Sequence, residues 1–280
     1  NGRMKLIADS GSTKTDWALI GEQAVLFTSS GLNPNILKDE EIVFALNNIK
    51  EFTDNKSNIS EVFFYGAGCG SPANCVRLEA IFKQFFPSAI IQIKTDIEGA
   101  AFAADNGKPG IVAILGTGSN SCYFDGDNVF GSDFSLGYIL GDEGSGSYFG
   151  KRLLRDFCYQ LLPDDLHIAF ENTYAVNRAA IIEKVYRQPA PNEFIASFLP
   201  FYKEHLQHPY CTYFINFGLE EFIKIYIWRF SNYKSVDVHF VGSVASHFEE
   251  QLRKVCANNS IHIGKIIAAP IQGLIQYHNK

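Results

Sequence analysis

Four short turns of glycine and hydroxyl residues each follow an apolar run, and a chain punctuated this way has few folds open to it. They are DSGSTKT (9–15), GTGSN (116–120), GDEGSGS (141–147) and VGSVAS (241–246). KLIAD (5–9) and TDWALIG (15–21) flank the first turn and read as strands, so that turn closes a hairpin. AVLFTSS (24–30) supplies a third strand, and three sequential antiparallel strands open the chain.

Alternation of helix and strand follows. In residues 40–52 the apolar positions Ile42, Val43, Leu46 and Ile49 fall on one helix face. EVFFYGAG (61–68) is a buried strand ending in glycines. Ser71 and Pro72 form a helix start, and Pro87 ends that helix. AIIQIKTD (89–96) is a strand, with Asp96 at its end as the expected cap of a helix closed by Gly107. The pattern then restarts. Residues 110–135 hold two or three strands, a glycine-rich loop runs into a helix from about 139, and 161–230 is mostly helical. Residues 235–256 read as strand, turn and helix, and 265–280 as a helix kinked near Pro270.

The expected architecture is α/β, with two domains and a cleft between them. The turn formers NGKPG (106–110) mark the boundary, giving domains 4–106 and 107–280. The second is enlarged by helices, and the terminal helix could pack back on the first. Asn1-Gly2-Arg3, ahead of the single methionine, reads as a cloning remnant outside the fold.

Charge narrows the partners. Lys and Arg total 24 against 30 Asp and Glu, a net charge of −6 with no basic patch. Nucleic acid is therefore not expected, since its binding rests on clustered cations. No apolar run reaches the ~18 residues of a membrane span, and Asp9 interrupts any secretory leader after Met4. The six cysteines show neither C-x-x-C nor zinc spacing, and they read as structural thiols of a reducing, cytoplasmic compartment. Phe63, Phe64, Phe82, Phe85 and Phe86 read as packing.

The turns have a chemistry of their own. Glycines let backbone N–H groups approach a ligand, successive N–H groups form an anion nest, and hydroxyls add neutral donors. An ionised Asp9 cannot donate to a phosphate, so a carboxylate there calls for a cation between them. Mg²⁺ suits that role because it takes one or two carboxylates together with water and phosphate oxygens. None of the turns matches a P-loop or a Rossmann fingerprint.

The order DSGSTKTDWAL, TDIEGA, ILGTGSNS, GDEGS and VGSVAS resembles the N-acetylglucosamine kinase branch of the actin-like ATPase superfamily, over nearly the whole chain. The resemblance implies two ribonuclease H-like domains, ATP and Mg²⁺ as cofactors, and a sugar as substrate. It places Asp9, Gly11, Ser12, Thr13 and Lys14 at the β- and γ-phosphates, with Asp9 holding Mg²⁺ through water; a solvated Lys14 is the alternative. Gly116, Thr117 and Gly118 become the second phosphate turn, and Gly242, Ser243 and Ala245 the nucleoside turn. Asp96 becomes the base for a sugar hydroxyl, a role compatible with capping its helix. Asn35, with Asn33 as a substitute, would contact sugar, as would Asn120, Gly137, Tyr138 and Asp142; Asn-Pro-Asn also suits an ordinary turn, and Asp142 could instead order Mg²⁺ or cap a helix. The implied reaction is phosphorylation of N-acetylglucosamine or a related amino sugar, at the 6-hydroxyl. Two other functions stay open: an ATPase activator of a radical dehydratase, and a non-catalytic sugar sensor. The sequence does not set the oligomeric state, for which a homodimer is the base-rate expectation.

Overall fold

The structure is a computed structural model describing residues 2–280. The described residues form two compact units: 2–105 with 270–280 make unit 1, and 106–269 make unit 2. The last eleven residues, contiguous in sequence with the second half, thus belong with the first unit.

Unit 1 is built on the sheet β3-β2-β1-β4-β5, from β1 (Met4–Ser10), β2 (Lys14–Ile20), β3 (Ala24–Ser30), β4 (Ile59–Gly66) and β5 (Ile90–Thr95). The first three strands pair antiparallel, while β4 and β5 run parallel to β1. Alternation along the strands sends Leu6, Ala8, Trp17, Leu19, Val62 and Phe64 into one core. That core is covered by α1 (Asp39–Asn47), α2 (Lys50–Asn55) and α3 (Pro72–Phe85), with Trp17 edge-on to Phe52 at 5.0 Å between ring centroids. The opposite face carries α4 (Asp96–Ala104) and, from the chain end, the helix Ile271–His278. There Phe102 stacks on Tyr277 at 4.6 Å and Phe63 on His278 at 3.9 Å.

Unit 2 repeats the topology as β8-β7-β6-β9-β10, from β6 (Gly110–Leu115), β7 (Ser119–Phe124), β8 (Val129–Phe130), β9 (Asp237–Val241) and β10 (His262–Ile267). Its helices are α5 (Gly137–Leu140), α6 (Gly146–Cys158), α7 (Asp164–Thr173), α8 (Arg178–Tyr186), α9 (Pro191–Ala196), α10 (Leu199–Glu204), α11 (Pro209–Phe222), α12 (Ser243–His247) and α13 (Glu249–Asn258); the terminal helix of unit 1 is α14. A π-helical turn, Ile223–Ile227, extends α11. The core gathers Ile111, Ala113 and Leu115 of β6 with Phe149, Leu153, Phe222, Phe240 and Phe248.

The structure differs from the sequence expectations at four places. The helix expected over 40–52 is two helices, because Asn48 closes α1 and Ile49 takes an extended conformation. The cap of α4 is Thr95, not Asp96: Thr95 Oγ1 accepts from Glu98 N and Glu98 Oε2 from Thr95 N, a capping box that moves Asp96 into the first turn. That helix ends at Ala104, short of Gly107. Finally, Lys265–Ile267 lies in β10 rather than in a helix. Its apolar run is too short for period alone to separate strand from helix, and pairing with β9 decides it.

Candidate functional site

Register fixes what unit 1 brings together. Ser10 of β1 pairs with Gly66 of β4, and Gly66 with Thr95 of β5, so three parallel strands end at one level. The crevice outside such carboxyl ends is where open α/β sheets bind ligands. Asp9 and Asp96 are carried there, and the hairpin pairs Asp9 directly with Asp16.

Three carboxylates therefore act on one another. Asp9 has its pKa pushed up to about 7, first by burial, then by the charges of Asp16 and Asp96, with Lys14 opposing. Lys14 itself lies 3.2 Å from Asp16 and is 61% exposed. A buried carboxylate beside like charges is stabilised by a cation. Among the described residues no three of His, Cys, Asp and Glu gather to hold a metal by themselves. Mg²⁺ does not require such a cage: one or two carboxylates suffice when water and phosphate complete the shell. The all-oxygen set at Asp9 fits that ion.

The hairpin turn is laced to the loop after β3. Gly11 N donates to Lys14 O and Gly31 N to Thr13 O, both at 2.9 Å. A Cβ at position 31 would fall 2.2 Å from Ser12 O, so only glycine allows this approach. Ser10 Oγ accepts from Leu32 N at 3.1 Å and pairs with Thr15 Oγ1 at 2.9 Å. Asn33 donates to Ser12 Oγ at 3.1 Å and accepts from Asn35 N at 2.9 Å. Asn74 Nδ2 holds Asn35 Oδ1 at 2.7 Å. Asn33 is thus the buried brace of the loop and Asn35 the exposed residue it presents. Gly11, Thr13 and Lys14 are exposed, and Ser12 half-buried. Asp96, half-buried at the start of α4, accepts from Ile97 N at 2.9 Å.

Unit 2 has its own cluster. Gly116, Thr117 and Gly118 form the turn from β6 to β7, with Gly116 N donating to Gly118 O at 3.1 Å. The start of α6 grips this turn: Gly146 N donates to Gly116 O at 2.7 Å and Ser147 N to Thr117 O at 3.2 Å. Asp142, 8% exposed and at φ 55°, accepts from Ser119 N at 2.9 Å and Ser135 Oγ at 3.1 Å. Burial raises its pKa, those two hydrogen bonds opposing. Asn120 is engaged at both ends, accepting from Ser121 N and donating to Ser132 O. Gly137 is exposed at φ 76° and Tyr138 half-buried, its carbonyl taking the Lys151 ammonium.

Gly242 brings β9 to the same place. Its φ is 135°, its N–H donates to Ile267 O at 2.8 Å, and a Cβ there would meet Leu115 O at 2.6 Å. A Cβ on Gly116 would sit 3.8 Å from Ser243 N, so the two turns are neighbours. Ser243 opens onto a 470 Å³ cavity whose walls include Ala196, Leu199, Lys203, Glu204 and Phe248. Ala245 lies elsewhere, fully buried in the core of unit 2.

Asp16, Asn74, Lys203 and Glu204 join these clusters without any motif of their own. Asp16 was recoverable, since a hairpin tight around 11–14 pairs 9 with 16. The other three carry no local signal.

No family model and no curated protein matches the chain. Solved structures do. The "Putative N-acetylglucosamine Kinase" of Porphyromonas gingivalis is 39% identical, with 98% of each chain covered and a TM-score of 0.93. The Chromobacterium violaceum protein of the same name is 17% identical over 98% of each chain, at TM-score 0.77. A ROK family glucokinase from Streptomyces griseus, solved with glucose and AMPPNP, shares the fold at 14% identity and TM-score 0.60, covering 99% of this chain and 98% of its own. Two mixed five-stranded sheets of matching topology, turns gathered at their strand ends, and 39% identity over almost the full length make this chain a member of the N-acetylglucosamine kinase-like branch of the actin-like ATPase-fold sugar kinases.

Proposed function

We propose that the chain transfers the γ-phosphoryl group of ATP to a hydroxyl of N-acetylglucosamine or a related amino sugar, the 6-hydroxyl in this reading. The observation that carries it is the convergence of Asp9, Asp16 and Asp96 beside the hydroxyl-rich turn of unit 1, with Asn35 on a loop bonded to that turn. The name of the 39% identical relative supports the choice of sugar, and the nucleotide analogue bound to the Streptomyces glucokinase supports ATP.

Phosphoryl transfer asks mainly for alignment and neutralised charge. Mg²⁺, when bound, supplies the neutralisation at the phosphates. Asp96 orients the sugar hydroxyl and accepts its proton as the bond to phosphorus forms. Asn35 fixes the sugar by a hydrogen bond, and the 10–13 turn offers N–H and hydroxyl donors to phosphate. In unit 2, residues 116–118 hold phosphate and Ser243 marks the nucleoside. The rigid seating of the 116–118 turn on α6 and Asp142 keeps those donors preorganised. Asp142, whose Oδ1 accepts from both Ser119 and Ser135, seats the turn and the 135–138 segment, which carries Gly137 and Tyr138, and its carboxylate contacts the sugar in this reading.

The test is a panel of sugars with ATP and Mg²⁺ and mass detection of the product. A phosphorylated amino sugar is expected; ATP left intact with every sugar overturns the reading.

A further inference from the structure

The 470 Å³ cavity of unit 2 has a consistent division of labour. Its floor is apolar, with Leu199 and Phe248 buried and Ala196 half-buried. Its five polar lining residues, Ser197, Lys203, Glu204, Ser243 and His247, are all exposed. Ser197 Oγ is already donated to Phe194 O at 2.5 Å, and the Lys203 ammonium lies 6.0 Å above the Phe248 ring. The volume is in the range that holds a small ligand. Its position is continuous with the phosphate turn: Gly146 N donates to Gly116 O, and a Cβ on Gly146 would touch Ala196 at 3.3 Å.

Selection against a wrong base is strong only where a buried polar group is left unpaired by it; an apolar pocket discriminates about 10–200-fold. Among the described residues no buried polar side chain lines the cavity, and the exposed ones keep water when the base changes. Resting on the kinase reading above, we infer that this cavity takes the nucleoside by the faces of its base and reads the base edge weakly, so that the protein accepts purine nucleoside triphosphates other than ATP. Ala196 and Pro200 supply the base-contact area over a floor closed by Leu199 and Phe248; Lys203 and Glu204 form a solvated rim.

The experiment measures kcat/KM for ATP, GTP and ITP with Mg²⁺ and the best sugar. GTP and ITP within about 200-fold of ATP are expected, and a greater preference for ATP overturns the inference. Should no sugar be phosphorylated, the kinase reading fails by itself, and the base question is read from calorimetric affinities of ADP, GDP and IDP under the same thresholds. Leu199→Ala should weaken all three nucleotides by similar factors. Loss confined to one base would overturn the proposal. Glu204→Gln, an exposed change that leaves the core intact, should alter the ATP/GTP ratio less than about 3-fold.

Discussion

Asp9 and Asp16 face each other across the first hairpin, directly paired in register, and the Lys14 ammonium, 3.2 Å from Asp16, is the cation whose charge offsets them at Asp9. Like charges directly opposite on paired strands cost stability. Asp16→Asn should therefore stabilise the ligand-free protein at neutral pH by about 0.5–1 kcal/mol in urea unfolding. The Mg²⁺ concentration for half-maximal activity should rise at the same time. A variant no more stable than the parent would remove Asp16 repulsion as a contributor to the raised Asp9 pKa, leaving burial and the Asp96 charge as its causes.

Asp96→Asn should lower kcat by about 100-fold or more while sugar and nucleotide affinities change little. The capping box of Thr95 and Glu98 is untouched by the change, so helix α4 should keep its stability. Undiminished turnover would take Asp96 out of the chemistry.

Asn33 ties the 31–35 loop to the 10–14 turn through Ser12 and Asn35. Its replacement by Ala removes two part-buried hydrogen bonds, each worth about 0.5–1.5 kcal/mol. The sugar KM should rise more than the nucleotide KM. Equal effects on both would mean that Asn33 serves stability only.

The terminal helix α14 carries a pH-dependent contact. His278 stacks on Phe63 and its Nε2 lies 2.7 Å from Tyr65 Oη. Burial, with the Lys5 charge adding, pushes its pKa down to about 4 from 6.5. The unfolded chain thus binds the proton more readily. The contribution of His278 is complete above pH 6.5 and is lost as pH falls toward 4. The difference in unfolding free energy between the parent and His278→Gln should shrink over that window. A difference constant from pH 7 to 4 would contradict this.

Gly242→Ala places a methyl 2.6 Å from the Leu115 carbonyl in a backbone region that L side chains rarely adopt. Nucleotide affinity should fall at least 10-fold, and the protein should lose about 1–3 kcal/mol of stability. Calorimetry and chemical denaturation on the same variant separate the two effects.

Much of this was written locally. The hairpin, the helix start at Ser71 and Pro72, and the glycine turns follow from strand period, proline geometry and small residues at points of tight backbone approach. Where local signals competed, the outcome went elsewhere. Thr95 took the cap because Glu98 could answer it, and Lys265–Ile267 joined a sheet because β9 offered an edge.

The sequence by itself determined which residue types stand at the strand ends: Asp9, Asp96, the 116–118 glycines and Gly242. Only the tertiary structure decided that Asp16 opposes Asp9, that Asn33 is a brace while Asn35 is presented, that Asp142 Oδ1 holds Ser119 and Ser135, and that α9, α10 and α12 enclose a cavity beside Ser243. The reason is physical. Periodicity and turn chemistry act over a few neighbouring residues, whereas strand register, helix docking and cavity walls arise from contacts among segments tens of residues apart.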